Sequence, residues 1–320
     1  MSRFTRRTAI IVATTLGLAG LTAVGGAPSA SGQEASPPAI VQLPAPPQGV
    51  PESGTLVSPG FAGTATEAGV APEATVRTGD FEGQAVSPES VIGADGRVQV
   101  TNTTVYPARA IGQIEFTQDT AQFICTGWLI DSNSILTSGH CSFDPSPSGG
   151  NMIESAQFFP GRNGGTDPFG GCNVVSVFAK SGWRIHGNVK DDWSIQQLDC
   201  NIGNTVGFLG YFSLAAVNGL DGKTARVEGY PGDKPFGTHW KMSGTIAART
   251  DANNVYYPMD TFGGQSGSPI MVANRPSCGG PCGMGIHSYG ASGNPPLNSG
   301  PRITNANFTL ISDIADNNGS

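Results

Sequence analysis

Gly263-Gly264-Gln265-Ser266-Gly267-Ser268-Pro269 runs straight into the apolar stretch Pro269 to Val272. Glycines lift the usual limits on backbone dihedrals, so a serine set among them sits on a sharp turn that presents its hydroxyl. The same freedom lets the N–H groups of Gly264 and Ser266 converge on one point, as two donors that hold a developing oxyanion do. By itself the motif reads equally well as an ordinary polar turn, because Gly and Ser are common in loops. The segments upstream of it separate the two readings.

Thr137-Ser138-Gly139-His140-Cys141 closes an apolar run with a histidine. A serine hydroxyl is a weak nucleophile at neutral pH and needs a neighbouring base that titrates near pH 7. In isolation His140 reads as a surface histidine. Asp191-Asp192-Trp193-Ser194-Ile195 places an acid at the start of another apolar run, where a half-buried carboxylate fixes the histidine tautomer and stabilises the imidazolium. Asp192 adjoins the run and is the preferred acid; Asp191 reads as a solvated turn carboxylate. The order His140, Asp192, Ser266 is that of chymotrypsin-type sites, whereas α/β-hydrolases run Ser, Asp, His and subtilisin types Asp, His, Ser. Ser268 stands where a lipase-type nucleophile elbow carries glycine.

Short runs bounded by Gly, Asn, Asp and Pro recur through this region: Ala121 to Ile130, Ser134 to Thr137, Asn173 to Ala179, Trp193 to Leu198, Thr224 to Tyr230, Ser243 to Ala248, Val255 to Met259, Ser268 to Val272 and Met284 to Ser288. Their lengths and alternation suit strands, and no helical period lies between them, which predicts an all-β barrel or sandwich. The tail differs: Phe308, Leu310, Ile311, Ile314 and Ala315 follow helical spacing, which predicts a terminal helix packed on the β body. With 46 glycines and 24 prolines in 320 residues, a coiled coil or helical bundle is excluded as the main architecture. The formal charge of −7, with basic residues scattered, leaves no footprint for a nucleic-acid backbone.

Arg3, Arg6 and Arg7 precede a charge-free run from Thr8 to about Ala27, followed by the small residues Ser29 and Ala30. This reads as an export signal over 1–30, removed after translocation, rather than as a lasting membrane anchor. From Ser31 to Glu89 there are nine prolines, no cysteine and no lysine, and too little periodic apolar sequence for the segment to fold alone. It is expected to be largely unstructured, either as a linker or as a pro-segment. All six cysteines fall in the remaining 231 residues. Behind an export signal an even count implies disulfides, with fifteen pairings open. The competing reading is a metal site of Cys278, Cys282 and His287, against which stands the absence of a second ligand pair.

Beyond the catalytic-type residues, the chain resembles the bacterial glutamyl endopeptidases, secreted serine proteases of the chymotrypsin-like clan, in their Bacillus-type and staphylococcal branch. The resemblance is carried by Ser90-Val-Ile-Gly93, Val100-Thr-Asn-Thr-Thr104, Cys125-Thr-Gly-Trp128, Gly139-His-Cys141, Pro160-Gly-Arg-Asn-Gly164, Ser181-Gly-Trp-Arg184, Gly203-Asn-Thr-Val-Gly207, Gly229-Tyr-Pro-Gly-Asp-Lys234, Met259-Asp-Thr261, Gly263 to Pro269 and Arg302-Ile-Thr304, so it covers essentially all of 90–320.

The resemblance implies two six-stranded antiparallel β-barrels and a C-terminal helix, with barrel 1 over about 90–205 and barrel 2 over about 206–320. It implies a monomeric endopeptidase that acts on protein and peptide substrates, cutting after Glu and less readily after Asp. His140, Asp192 and Ser266 would form the triad, Gly264 and Ser266 the oxyanion hole, and Thr261 and His287 the walls of the acidic-side-chain pocket. A carboxylate leaving water needs donors or positive charge, which a hydroxyl and an imidazole supply. Asp260 is expected to point away from that pocket, and His186 and His239 are expected in solvated loops. Cys125–Cys141 and Cys278–Cys282 match family disulfides, which leaves Cys172 and Cys200, a departure from the Bacillus-type pattern, paired with each other. Glu89 before the family-like start Ser90 marks a self-processing junction, and so favours the pro-segment over the linker.

No cofactor is required by this chemistry. Calcium is compatible with the many Asp and Asn loops, yet none has the acidic spacing of an EF-hand. The rival readings are a serine protease of other specificity, a non-catalytic protease-fold binding module and an exported esterase.

Overall fold

The computed structural model describes residues 37–42, 54–65 and 90–318. The expected signal peptide, Glu89 and most of the 31–89 segment lie outside the described residues. Three short strands come first, β1 (Ala39–Gln42), β2 (Thr55–Ser58) and β3 (Val98–Gln99). Then follow β4 (Ile111–Gln118), β5 (Ala121–Leu129), β6 (Ser134–Thr137), β7 (Phe143–Asp144), β8 (Asn151–Met152), β9 (Ser155–Pro160), β10 (Cys172–Ala179) and β11 (Ser194–Leu198). The remainder carries β12 (Gly210–Leu214), β13 (Thr224–Gly229), β14 (Trp240–Thr245), β15 (Asn254–Tyr257), β16 (Pro269–Arg275), β17 (Gly280–Ile286), β18 (Tyr289–Ser292) and β19 (Leu297–Pro301). Helices are few: α1 (Ser181–Arg184), α2 (Gly203–Val206) and α3 (Asn305–Asn318).

The first barrel runs β10-β11-β6-β5-β4-β9 and closes where β9 pairs back onto β10. Its longest hairpin, β4–β5, turns on Asp119 and Thr120 at φ 50° and 67°, with Gln118 opposite Ala121. Two successive left-handed residues match the twist of the flanking strands. Ile114 and Phe116 of β4 face inward against Leu129, Ile135, Phe158, Val177 and Leu198, and burying each such side chain is worth about 1.5–3 kcal/mol.

The second half departs from a simple closed barrel. Its strands form one sheet, β2-β12-β17-β16-β13-β14-β3, and a separate sheet, β15-β19-β18, joined by a single bridge between Gly285 and Arg302. The break falls at His287-Ser288, between β17 and β18, because here the chain changes partner from the lead-in of β16 to β19. His287 N–H bonds to Ser268 O at 2.9 Å and Ser288 N–H to Ser299 O at 3.1 Å. Phe212, Val227, Val255, Tyr257, Ile270 and Met284 fill the interior. A third cluster joins the two halves, in which Trp128, Trp193, Tyr211, Tyr230 and Ile286 meet Leu310, Ile311 and Ile314 of α3. The Thr304 hydroxyl accepts from Asn307 N–H at 3.1 Å and so caps this helix, as an N-cap threonine does.

Two parts of the segment expected to lack structure are strands. β1 pairs parallel with β10 and β2 antiparallel with β12. Neither needs to fold alone, since each borrows the exposed edge of an existing sheet, which supplies its missing hydrogen bonds. The six cysteines form Cys125–Cys141, Cys172–Cys200 and Cys278–Cys282. The sulfurs of Cys278 and Cys282 are thus committed to each other rather than available to a metal.

Two solvation expectations are corrected. Asp191 is buried, its Oδ1 2.9 Å from Lys180 Nζ, because the turn that carries it folds back under the 180s loop. His186 is exposed, but His239 is fully buried, stacked on Tyr230 at 4.6 Å between centroids. Its Nε2 lies 3.4 Å from Glu228 Oε1. Burial, reinforced by Arg226 and Lys241, pushes the His239 imidazole down to about 3, while burial raises the Glu228 carboxyl.

The consequence for acid stability has a definite sign. An unfolded histidine takes up a proton near pH 6.5, whereas folded His239 refuses it until about 3. Between those values the unfolded chain binds more protons, so stability falls as pH drops through the window. Glu228 acts oppositely, since a raised carboxyl favours the fold at low pH and loses that contribution as pH rises. In a Ser266→Ala background, which removes self-digestion, His239→Phe is expected to flatten the decline in unfolding free energy between pH 7 and pH 4, measured by urea titration, by about a few kcal/mol. An unchanged acid slope would place the acid-sensitive group elsewhere.

Candidate active site

β6 and β11 are adjacent and antiparallel, with Thr137 opposite Ser194. The turn after β6 (Gly139–Cys141) and the turn before β11 therefore meet at one end of the barrel. There Asp192, fully buried, accepts from His140 N–H through Oδ1 at 2.8 Å, and its Oδ2 lies 2.9 Å from His140 Nδ1. The His140 side chain keeps 25% of its surface exposed, so its ring is held on one edge and accessible on the other. A neutral ring that donates Nδ1–H to Asp192 has its acceptor at Nε2. Gly139 is required for this approach, since a Cβ there would lie 2.8 Å from the Trp183 ring and 2.9 Å from Asp192 Oδ1.

Ser266 is delivered from the other half of the molecule and is locked to the first barrel by Thr126. Thr126 N–H bonds to Ser266 O at 2.8 Å, its hydroxyl donates to Gly264 O at 2.9 Å, and Tyr230 N–H donates to that hydroxyl at 3.0 Å. Gly264 has φ +96°, and a Cβ on it would lie 2.6 Å from Tyr230 O. Gly267, at φ +92°, packs against Thr126 O and Thr137 Oγ1 with no room for a Cβ. Gly232 N–H bonds to Gly263 O at 2.6 Å. A trans peptide sets its N–H opposite its C=O, so the Gly264 N–H points away from the Gly232 loop.

A polar row links the two halves. Ser138 Oγ donates to His287 O at 2.8 Å and lies 2.8 Å from Ser288 Oγ, which in turn lies 3.4 Å from Asp192 O. The Tyr289 ring sits 6.4 Å from that of His140, and burial together with the Asp192 charge raises its phenol. Sequence reasoning passes over Thr126, Ser138, Ser288 and Tyr289; only their position immediately beside motif residues hints at them.

A chain of contacts through β15 and β19 links the two predicted pocket residues. Thr261 and His287 are fully buried. The Tyr257 hydroxyl lies 2.6 Å from His287 Nδ1, and Tyr257 on β15 faces Asn298 on β19. Asn298 Nδ2 donates to Met259 O at 2.7 Å and to Ser90 O at 3.0 Å, and Thr261 N–H reaches the same Ser90 O at 3.5 Å. The Thr261 hydroxyl is buried without a hydrogen-bond partner. Asp260 is buried and engaged away from Thr261's hydroxyl, accepting from Ile92 N–H and Gly96 N–H at 2.7 Å each. Arg97 completes the docking of this N-terminal stretch, donating from Nη1 to Asp233 at 3.0 Å and to Gln265 Oε1, beside Ser266, at 3.4 Å. A separate open cleft of about 420 Å³ is walled by Tyr289, Tyr256, Val189 and Arg249, and neither Thr261 nor His287 lines it.

The family model described as Trypsin matches residues 97–307. The chain is 42% identical to the glutamyl endopeptidase of Bacillus licheniformis over 71% of this chain and 69% of the relative. It is 33% identical to the extracellular metalloprotease of Bacillus subtilis over 71% and 70%. A solved Glu endopeptidase in complex with MPD superposes with a TM-score of 0.61 at 35% identity, over 71% of this chain and all of that one. Among the described residues, the candidate metal-ligand clusters do not fit the metal in the second name. The two His/Cys/Asp clusters among the described residues, Cys125–His140–Cys141 and Cys172–Asp199–Cys200, have both sulfurs in a disulfide.

Proposed function

The chain belongs to the trypsin family and is a chymotrypsin-like serine protease related to the glutamyl endopeptidases, and we propose that it is an exported endopeptidase that cuts after Glu, and less readily after Asp. The observation that carries the specificity is the Thr261 hydroxyl, buried with no partner in a wall that also holds His287. A buried polar group left unmatched costs about 1–3 kcal/mol, a cost that is removed when a substrate carboxylate enters and accepts from it. Tyr257 holds the His287 ring through Nδ1, which orients the imidazole toward the same carboxylate.

The chemistry is acyl transfer. As Ser266 Oγ bonds to the carbonyl carbon after Glu, its proton passes to His140 Nε2. Asp192, held at 2.9 Å from Nδ1, stabilises the imidazolium. The oxygen takes up negative charge facing Gly264 and Ser266 N–H. The C–N bond then breaks as His140 returns the proton to the leaving amine, and water, deprotonated by the same base, releases the acid and restores Ser266.

In this reading residues 1–30 direct export, 31–89 are a pro-segment, and 90–320 are the mature enzyme, a monomer outside the cell. Cleavage after Glu89 would turn Ser90 into a free α-ammonium beside Thr261, adding positive charge to the pocket. Glu89→Gln is accordingly expected to halt processing, with the longer form accumulating; maturation at the wild-type rate would refute self-cleavage at this bond. The specificity is tested by digesting an unfolded protein mixture and identifying each new peptide end by mass spectrometry. Ends dominated by Glu, absent with Ser266→Ala, are expected; ends after other residues would reduce Thr261 and His287 to structural roles.

A further inference from the structure

The part of the 31–89 segment at 54–65 lies on the stretch of chain that crosses from the first barrel to the second. β2 pairs with β12 from Thr55–Leu214 to Ser58–Tyr211. Beyond it, Phe61 and Phe208 exchange N–H···O bonds at 2.9 and 2.8 Å, Thr64 N–H bonds to Asn204 O at 3.1 Å and Ala65 N–H to Thr205 O at 2.9 Å. Gly60 N–H reaches Cys278 O at 2.9 Å, and the Phe61 and Phe208 rings pack at 5.5 Å. Arg109, buried in the first barrel's lead-in turn, donates from Nη2 to Ala62 O at 2.7 Å. A second attachment, β1 on β10, sets Val41 against the cluster that joins the two halves.

Both partners are shaped for this contact. A Cβ on Gly60 would lie 2.5 Å from Gly210 N, and one on Gly63 would strike Gly207 N. Reciprocally, a Cβ on Gly207 would strike Phe61 O, and one on Gly210 would lie 2.7 Å from Gly60 N. Two glycines on each side allow backbone-to-backbone approach that no side chain permits. Apart from the Thr64 hydroxyl on Asn204 O and the Arg109 guanidinium on Ala62 O, its hydrogen bonds are main-chain, the mode in which a peptide adds a strand to a sheet edge. A cut between 66 and 89 severs none of these bonds.

We propose that residues 54–65, assisted by 39–42, remain docked after the chain is cut downstream of them, as a non-covalent strap across the junction of the two barrels. The working enzyme is then a two-piece protein, in which the strap holds the crossing segment and thereby the relation between the His140–Asp192 half and the Ser266 half. Loss of the strap would leave the buried Arg109 Nη2 without its Ala62 acceptor and open the β12 edge.

The test uses the exported chain carrying Ser266→Ala and a foreign protease's recognition sequence inserted after Arg77, so that neither self-processing nor Glu preference enters. After cutting, confirmed complete on a denaturing gel, the N-terminal fragment is expected to co-elute with the core on native gel filtration. Amides of Phe61, Thr64 and Ala65 should exchange about 10²-fold or more slowly than in the isolated peptide. The variant with Gly60→Val and Gly63→Val should release its fragment. A separate fragment peak from the unsubstituted chain, or exchange at free-peptide rates, overturns the proposal; if the double variant does not fold, exchange in the unsubstituted cut chain still decides.

Discussion

Ser266→Ala is expected to lower kcat/KM on a Glu-containing peptide by about 10⁵–10⁶, the scale lost when the nucleophile of a triad is removed. Its fold should persist, because Thr126 holds the loop through backbone atoms, Ser266 O and Gly264 O, which alanine leaves in place. His140→Ala should fall in the same range and the double variant no further, since residues that act as one unit are not additive. Asp192→Asn should lose about 10⁴, because the amide favours the wrong tautomer of His140. Steady-state rates and a phosphonate that labels the active serine check all four variants. A Ser266→Ala protein that keeps more than about a hundredth of the activity would remove Ser266 from the reaction.

Thr261→Val, which exchanges a hydroxyl for a methyl, is expected to lower kcat/KM for Glu at the cut site by about 10–10², the worth of one hydrogen bond to a charged group. With His287→Phe added, the loss should reach about 10²–10⁴, and the preference for Glu over Gln should narrow by a similar factor. Structural and specificity roles make opposite stability predictions for Thr261→Val. The native hydroxyl is buried and unpartnered, so removing it should leave the urea midpoint unchanged or raised. Equal losses on Glu and Gln peptides, or a marked drop in stability, would sink the assignment of this pocket.

Much of the fold was legible because strands punctuated by Gly, Asn and Pro leave a period of two, and α3 a period of 3.6. β4 is not among the predicted runs even though Ile114 and Phe116 alternate on one face. Its hairpin turns on Asp119-Thr120, with both residues at positive φ, and lacks the Asn-Gly or Asp-Gly signal that marks such turns. The run at Ser243 to Ala248 overlaps only the end of β14, because Trp240, Lys241 and Met242 are half-exposed and alternate weakly. The sequence leaves Asp191 and His239 reading as solvated because a loop residue's burial depends on which distant segment covers it. Lys180 and Tyr230 do so here.

Residue type and spacing single out the candidate reactive side chains, their order along the chain and the glycines of the serine turn. Each is a local requirement, met by residue type and spacing. The tertiary structure decided which of them meet: β6 and β11 had to pair before His140 could lie on Asp192, and Thr126 had to cross between the halves before Ser266 was fixed. It alone revealed the docking of 54–65 on the crossing segment. Most of its hydrogen bonds join main-chain atoms, which every sequence carries, so the side-chain pattern shows little of it beyond the paired glycines and the Phe61–Phe208 pair.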